Sequence, residues 1–215
     1  MAKITNRSRS LIERYNSYVA FLDILGFRDL LNGKNFEERI EEINSVIRHR
    51  AEFDGTSHPR LSYISISDTI IIIADKGEGY TLLRKIGQLQ NALLKMGVGL
   101  RGAISFGPVL TSNHEIIGRN IFGKAYLEAY ENEKRAKNPR VIALASATSL
   151  LRNDIHKYQR GLKSESVKRA EDVFLLQDSD GEWFVNQFSS DIIGLTAKSR
   201  RNNADTLENI ASYRR

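Results

Sequence analysis

The sequence predicts an α+β fold: a βαββαβ chain order forming a ferredoxin-like sheet with helices mainly on one face. Three observations carry this prediction. An apolar, partly β-branched run over 18–25 stops at Gly26, as a buried strand does. The stretch "LSYISISDTIIIIAD", Leu61 to Asp75, is two β-rich runs meeting at Ser67-Asp68, as a hairpin does. Between and after them, Phe36 to Ile47 and Tyr80 to Met96 space apolar residues at three and four, the period of an amphipathic helix.

The remaining elements follow in order. Phe27 to Leu31 gives a short first helix, set off from the next by "NGKN". Gly97 closes the Tyr80 helix, "GLRGAISFGPV" returns as a strand with a glycine-rich exit, and "HEIIG" pairs beside it. Ile121 to Arg135 reads as a helix and "RVIALA", Arg140 to Ala145, as a strand. "DVFLLQ" and "EWFVNQF" flank the turn "DSDG" as an added hairpin before a polar helical tail. There is no internal repeat, low-complexity linker or second-domain boundary.

Composition narrows the function classes. A chain of 215 residues, 41% hydrophobic and 27% charged with mixed signs, is one globular domain with appendages. It has no cysteine, which excludes a disulfide framework, a zinc-thiolate site and a thiol nucleophile, and its four histidines are scattered. "AKITNRSRS" after Met1 lacks the apolar core of a signal peptide, and no apolar run reaches the roughly 20 residues that span a bilayer. The expectation is a soluble, cytoplasmic protein. Much of the net charge of +6 lies in "NEKRAKNPR" from Asn132 and in the C-terminal "KSRRNNADTLENIASYRR". A solvated surface is the plainer reading of those runs, and attraction to phosphate the sharper one.

Two carboxylates stand out. Asp23 ends the first strand and Asp68 sits in the hairpin turn, so both lie at the same end of the sheet. Adjacent strands are about 4.8 Å apart, and two carboxylates so placed repel by about 4 kcal/mol at an effective dielectric near 20. A cation or a shared proton must meet them. Oxygen donors without histidine or cysteine favour Mg²⁺ or Mn²⁺, ions that complete their shells with water and phosphate. Gly26 lets the backbone approach a ligand beside a helix start whose amides suit phosphate, and together these features point to a nucleoside triphosphate site. The plainer alternative makes Asp68 a turn residue and Asp23 a cap on the following helix.

With these residues in view, "FLDILGF" followed by "SISDT" resembles the paired metal-binding motifs of class III nucleotidyl cyclases. "LRGAISFGPV" resembles their central strand and glycine turn, and "NIFGKAYLEAYENE" their next strand-to-helix segment. The likeness runs in order from about residue 18 to residue 145. Within that superfamily, "AFLDILGF", "RGAIS", "GKAYLEAYENE" and the "DGEWFVNQF" hairpin resemble the bacterial Pycsar cyclases, which make cyclic pyrimidine mononucleotides as antiphage signals.

The resemblance implies a ferredoxin-like class III nucleotide cyclase fold with a C-terminal hairpin and helical tail: an extension over 1–16, a cyclase domain over 17–190 and a tail over 191–215. It implies a homodimer with active sites between subunits, a triphosphate substrate, a product read by a separate effector protein, and no direct nucleic-acid or membrane binding. Asp23 and Asp68 would hold two Mg²⁺ or Mn²⁺ ions with the Ile24 carbonyl, and the amides of Leu25, Gly26 and Phe27 would cradle phosphates. Ile64 and Asn120 stand where adenylyl cyclases carry their base readers, so neither the adenine nor the guanine pair is present. An asparagine can read either pyrimidine edge, and with no acidic acceptor for cytosine's amino group the favoured substrate is UTP over CTP. Leu127 and Glu131 stand where the superfamily carries a catalytic asparagine and arginine. Arg101 is the candidate replacement, the plainer alternative being a strand-end arginine paired with a surface acid, with Lys124 and Tyr126 behind it; Tyr130 at helical spacing from Tyr126 reads as packing.

Two rival readings differ in class. A catalytically silent cyclase-like module would bind nucleotide without releasing pyrophosphate. An RNA-binding domain shares the βαββαβ order, but Ala103 and Ser105 stand where "RGAISFGPV" would need base-stacking rings.

Overall fold

The computed structural model describes residues 13–57, 60–114, 118–160 and 171–189. In chain order the elements are β1 (Glu13–Ile24), α1 (Phe27–Leu31), α2 (Phe36–Ser57), β2 (Leu61–Ile66), β3 (Thr69–Asp75), α3 (Gly79–Lys95), β4 (Leu100–His114), β5 (Gly118–Phe122), α4 (Lys124–Asn132), a 3₁₀ turn (Glu133–Ala136), β6 (Val141–Ala143), α5 (Ala145–Arg160), α6 (Glu171–Phe174), β7 (Leu175–Gln177) and β8 (Trp183–Val185). The strands form one mixed sheet in the order β2-β3-β1-β4-β6-β8-β7, with β5 paired to β4. β1 lies antiparallel between β3 and β4, and only β4 and β6 run parallel among the described pairs. This is the split arrangement that a βαββαβ order predicts.

Alternation along β1 builds two cores. Tyr18, Ala20, Leu22 and Ile24 point to one face, where Ile43 and Ile47 of α2, Leu82, Leu83, Leu89 and Leu93 of α3, and Leu151 and Ile155 of α5 cover them. Val19 and Phe21 point to the other, covered by Ala125 and Ala129 of α4. Each buried aliphatic or aromatic side chain contributes about 1.5–3 kcal/mol, so the larger face supplies most of the stability. The smaller one leaves part of the sheet open.

Several elements differ from the sequence expectation. β1 begins at Glu13, and α2 continues to Ser57. Ile121 and Phe122, expected in a helix, are strand residues paired with Thr111 and Leu110, so ladder hydrogen bonds outweigh a helical spacing. The expected partner strand "HEIIG" lies partly outside the described residues, and its place beside β4 is taken by Gly118–Phe122. Helix α4 ends at Asn132, and Glu133 to Arg135 belong to the 3₁₀ turn. Helix α5 was not expected: its Ser, Thr and Asn content is a weak helix signal, but Ala147, Leu151 and Ile155 recur every four residues and are buried. In "DVFLLQ" the first three residues are helical. The hairpin β7–β8 joins the same sheet through Ile142↔Phe184. The expected helical tail lies outside the described residues. No described helix is long and apolar enough to cross a membrane.

Candidate functional site

Asp23 follows Val19 and Phe21 onto the more open face of the sheet, at the end of β1. Its cross-strand neighbours are Thr69 on β3 and Arg101 on β4. Gly102 permits this approach: a Cβ there would lie 2.3 Å from the Phe21 carbonyl oxygen, so any side chain would push β4 off β1. Asp68 occupies the β2–β3 turn after Ser67, a non-glycine residue at φ +56° and therefore mildly strained. The Asp68 carbonyl accepts the Ile24 N–H at 2.9 Å, which docks the turn against the end of β1. The two carboxylates that the sequence singles out are thus neighbours.

A third acid joins them. Arg101 Nη2 donates to Asp23 Oδ2 at 3.1 Å, and Arg101 Nε donates to Glu133 Oε1 at 2.7 Å. Glu133, the first residue of the 3₁₀ turn, is only 5% exposed. Burial pushes the Asp23 carboxyl above its ordinary range; the negative charge of Glu133 adds to this, Arg101 partly offsets it, and Asp68 raises it further.

The backbone beside the acids turns at Gly26, which caps α1 at φ +76° with open space where a Cβ would stand. Helix α1 has no side-chain cap bond, which removes the alternative in which Asp23 caps it. The Leu25 N–H, expected at phosphate, instead donates to the Gly99 carbonyl at 2.9 Å because β1 is still held by the chain entering β4. The amides of Gly26 and Phe27 open the first turn of α1, where a helix has no partners of its own for them.

Two carboxylates and the nearby Ile24 carbonyl fit Mg²⁺ or Mn²⁺, ions that take one or two protein carboxylates and draw the remaining oxygens from water and phosphate. Among the described residues no group of three or more His, Cys, Asp or Glu side chains is arranged to hold a metal ion, so Glu133 is not a third ligand. Its partner is Arg101.

Of the other expected site residues, Arg101 alone makes a described side-chain contact with an acid of the site. Arg101 is in place and engaged at both Asp23 and Glu133, as in the plainer alternative of an acid-paired strand-end arginine, although Glu133 is buried and not a surface acid. Tyr126 packs its ring 6.0 Å from that of Phe21 and borders the smaller core, while Tyr130, its ring 5.2 Å from that of Phe21, is 54% exposed. Ile64 packs on the same core from β2. Lys124 is exposed at the start of α4. Asn120 pairs with Ser112 on β4, roughly 35 Å along the strand from Arg101 at 3.2–3.4 Å per residue. Sequence reasoning missed Glu133, because it treated "NEKRAKNPR" as solvated. Both Glu133 and Arg140 of that run are buried and paired.

No protein-family model matches the chain, and no curated protein matches it. Solved structures do. The monomeric guanylyl cyclase domain of the RhoGC fusion protein from the aquatic fungus Blastocladiella emersonii matches with a TM-score of 0.59 at 12% identity, over 81% of this chain and 96% of that one. The guanylyl cyclase Cya2 matches with 0.53 at 16% identity, over 65% of this chain and 79% of that one. The adenylyl cyclase CyaB from P. aeruginosa matches with 0.51 at 15% identity, over 66% and 83%. The likeness is one of fold: a mixed α+β domain built on one mixed sheet, as in class III nucleotide cyclases.

Proposed function

We propose that the chain is a nucleotide cyclase that converts a pyrimidine triphosphate, UTP in preference to CTP, to its 3′,5′-cyclic monophosphate and pyrophosphate. The observation that carries this reading is the docking of the Asp68 turn on the end of β1, which sets Asp68 beside Asp23 at the Gly26 turn of a cyclase-like fold. Asp23, Asp68 and the Ile24 carbonyl would hold two Mg²⁺ or Mn²⁺ ions. When bound, such ions neutralise triphosphate charge and acidify a hydroxyl they touch.

The chain itself binds and orients. The Gly26 and Phe27 amides meet phosphate oxygens, and the guanidinium of Arg101 stands by for developing charge. No protein nucleophile is needed: the ribose 3′-oxygen attacks the α-phosphorus, loses its proton, and pyrophosphate leaves with the bonding electrons. A homodimer supports the rest. Ile66, Phe122, Leu127 and Tyr130 are exposed apolar residues on the strands and helix around the open face. A second copy docked there would bring Asn120 of the partner subunit to the base, a position one chain cannot supply. The absence of an acidic side chain at Ile64 and Asn120 supports UTP. The cyclic product would be read by a separate effector protein in antiphage defence.

The rival silent module is supported by Leu127 and Glu131 in place of the usual asparagine and arginine, and by the double engagement of Arg101. Pyrophosphate release decides between them. Purified chain with Mn²⁺ and each of ATP, GTP, CTP and UTP should release pyrophosphate from a pyrimidine triphosphate, with Asp68→Ala inactive. Binding of triphosphates without release from any of the four would establish the silent module.

A further inference from the structure

Arg101 touches two acids unequally. It makes two short contacts with Glu133, from Nε at 2.7 Å and from Nη2 at 2.5 Å, and one longer contact with Asp23 at 3.1 Å. The Glu133 side chain is 6% exposed and that of Asp23 24%. The shorter, drier pair is the harder to break, so Glu133 is the anchor and Asp23 the end that lets go. The anchor is itself fixed, because Arg140 Nε donates to the Ala136 carbonyl at 2.9 Å and pins the end of the 3₁₀ turn that begins at Glu133.

We propose that Arg101 is a stand-in cation on Asp23, displaced when a divalent ion binds, and that Glu133 is the positioning residue that anchors Arg101 and receives it beside the loaded site. The inference rests on the assignment of Asp23 and Asp68 to a divalent cation. Three carboxylates against one guanidinium leave a formal excess of two negative charges, the charge of one such ion. Arg101 competes with the ion for Asp23, whereas Glu133 draws Arg101 away from it and adds negative charge.

The two residues therefore have opposite effects on ion affinity. Mn²⁺ binding to the full chain, without nucleotide, is read from the electron paramagnetic resonance signal of free Mn²⁺. Arg101→Gln should tighten Mn²⁺ binding and Glu133→Gln should weaken it, each by about tenfold, while Asp68→Asn weakens it. Loss of fold can weaken binding but not tighten it, so the Arg101→Gln arm stands even if Glu133→Gln proves unstable in a thermal melt. Unchanged or weaker binding by Arg101→Gln, with Asp68→Asn still weakening it, overturns the stand-in role and leaves the metal site intact. No Mn²⁺ binding by the unaltered chain, or none that depends on Asp68, overturns both.

Discussion

Arg101 and Arg140 are each gripped by two carboxylates, yet Asp23 and Asp180, one acid at each, are pushed in opposite directions. At the hairpin junction Arg140, its side chain 8% exposed, reaches both Asp178 and Asp180 of the β7–β8 turn. Its hydrogen bond holds the Asp180 carboxyl below the ordinary range, with charge from Arg140 and Lys137 adding to the effect. At the end of β1 the Asp23 carboxyl is held above that range, by burial first and then by Glu133. The two hairpin acids meet water and two cations, Arg140 and Lys137, so their charge is matched and the contact is a closed cross-link. The sheet-end acids outnumber their one guanidinium in a drier place, so that site stores an unmet demand for positive charge. Such a demand lowers stability and is kept where a cation is to be bound.

The sharpest way to break this contrast is to delete one acid from each region. Asp23→Ala should cut cyclic product by at least about 100-fold, since charge stabilisation worth several kcal/mol is lost. Its thermal stability should stay within about 1 kcal/mol of wild type, because Arg101 keeps its stronger partner Glu133. Arg140→Ala should do the reverse, lowering stability by about 2 kcal/mol in urea denaturation while activity per folded molecule falls far less than in Asp23→Ala. That cost is below the roughly 3–5 kcal/mol of a fully buried pair because Asp178 and Asp180 stay in contact with water. Equal loss of activity in both variants would erase the distinction.

Smaller effects sharpen it. Gly26→Ala meets no steric obstacle but forces an alanine to φ +76°, so it should cost about 1 kcal/mol, read as a shift in the urea midpoint. The smallest effect is in pH. Because the folded Asp23 carboxyl is raised, the native state binds more protons than the unfolded chain between the ordinary carboxylate pKa, near 3.9, and the raised value. Stability from this group therefore falls as pH rises through that window. Asp23→Asn should remove that downward contribution, and a difference profile with no slope there would contradict the raised carboxyl.

Sequence legibility divides along the same line. The β2-β3-β1-β4 core and the Asp23–Asp68 pairing are readable because continuous apolar, β-branched runs and a two-residue turn are local signals with fixed geometry. The Leu25 amide was misassigned because its use depends on where Gly99 enters β4, a tertiary fact. Arg101 was found, but its ion pair needed the β1–β4 register, which places it directly opposite Asp23. Glu133 was invisible because nothing in "ENEKRAK" distinguishes one buried acid from its solvated neighbours. Helix α5 escaped for the reason that it is stabilised by burial against α3 and not by propensity.

The central claim is that the sheet-end acids serve an internal attack by the substrate's own ribose, and the origin of the oxygen on the product phosphate tests it most directly. The chain is incubated with UTP and Mn²⁺ in heavy-oxygen water and the nucleotide product weighed by mass spectrometry. Cyclisation predicts a cyclic monophosphate carrying no heavy oxygen, since the 3′-oxygen displaces pyrophosphate and water takes no part. A linear monophosphate or diphosphate carrying the label would show attack by water and contradict the account.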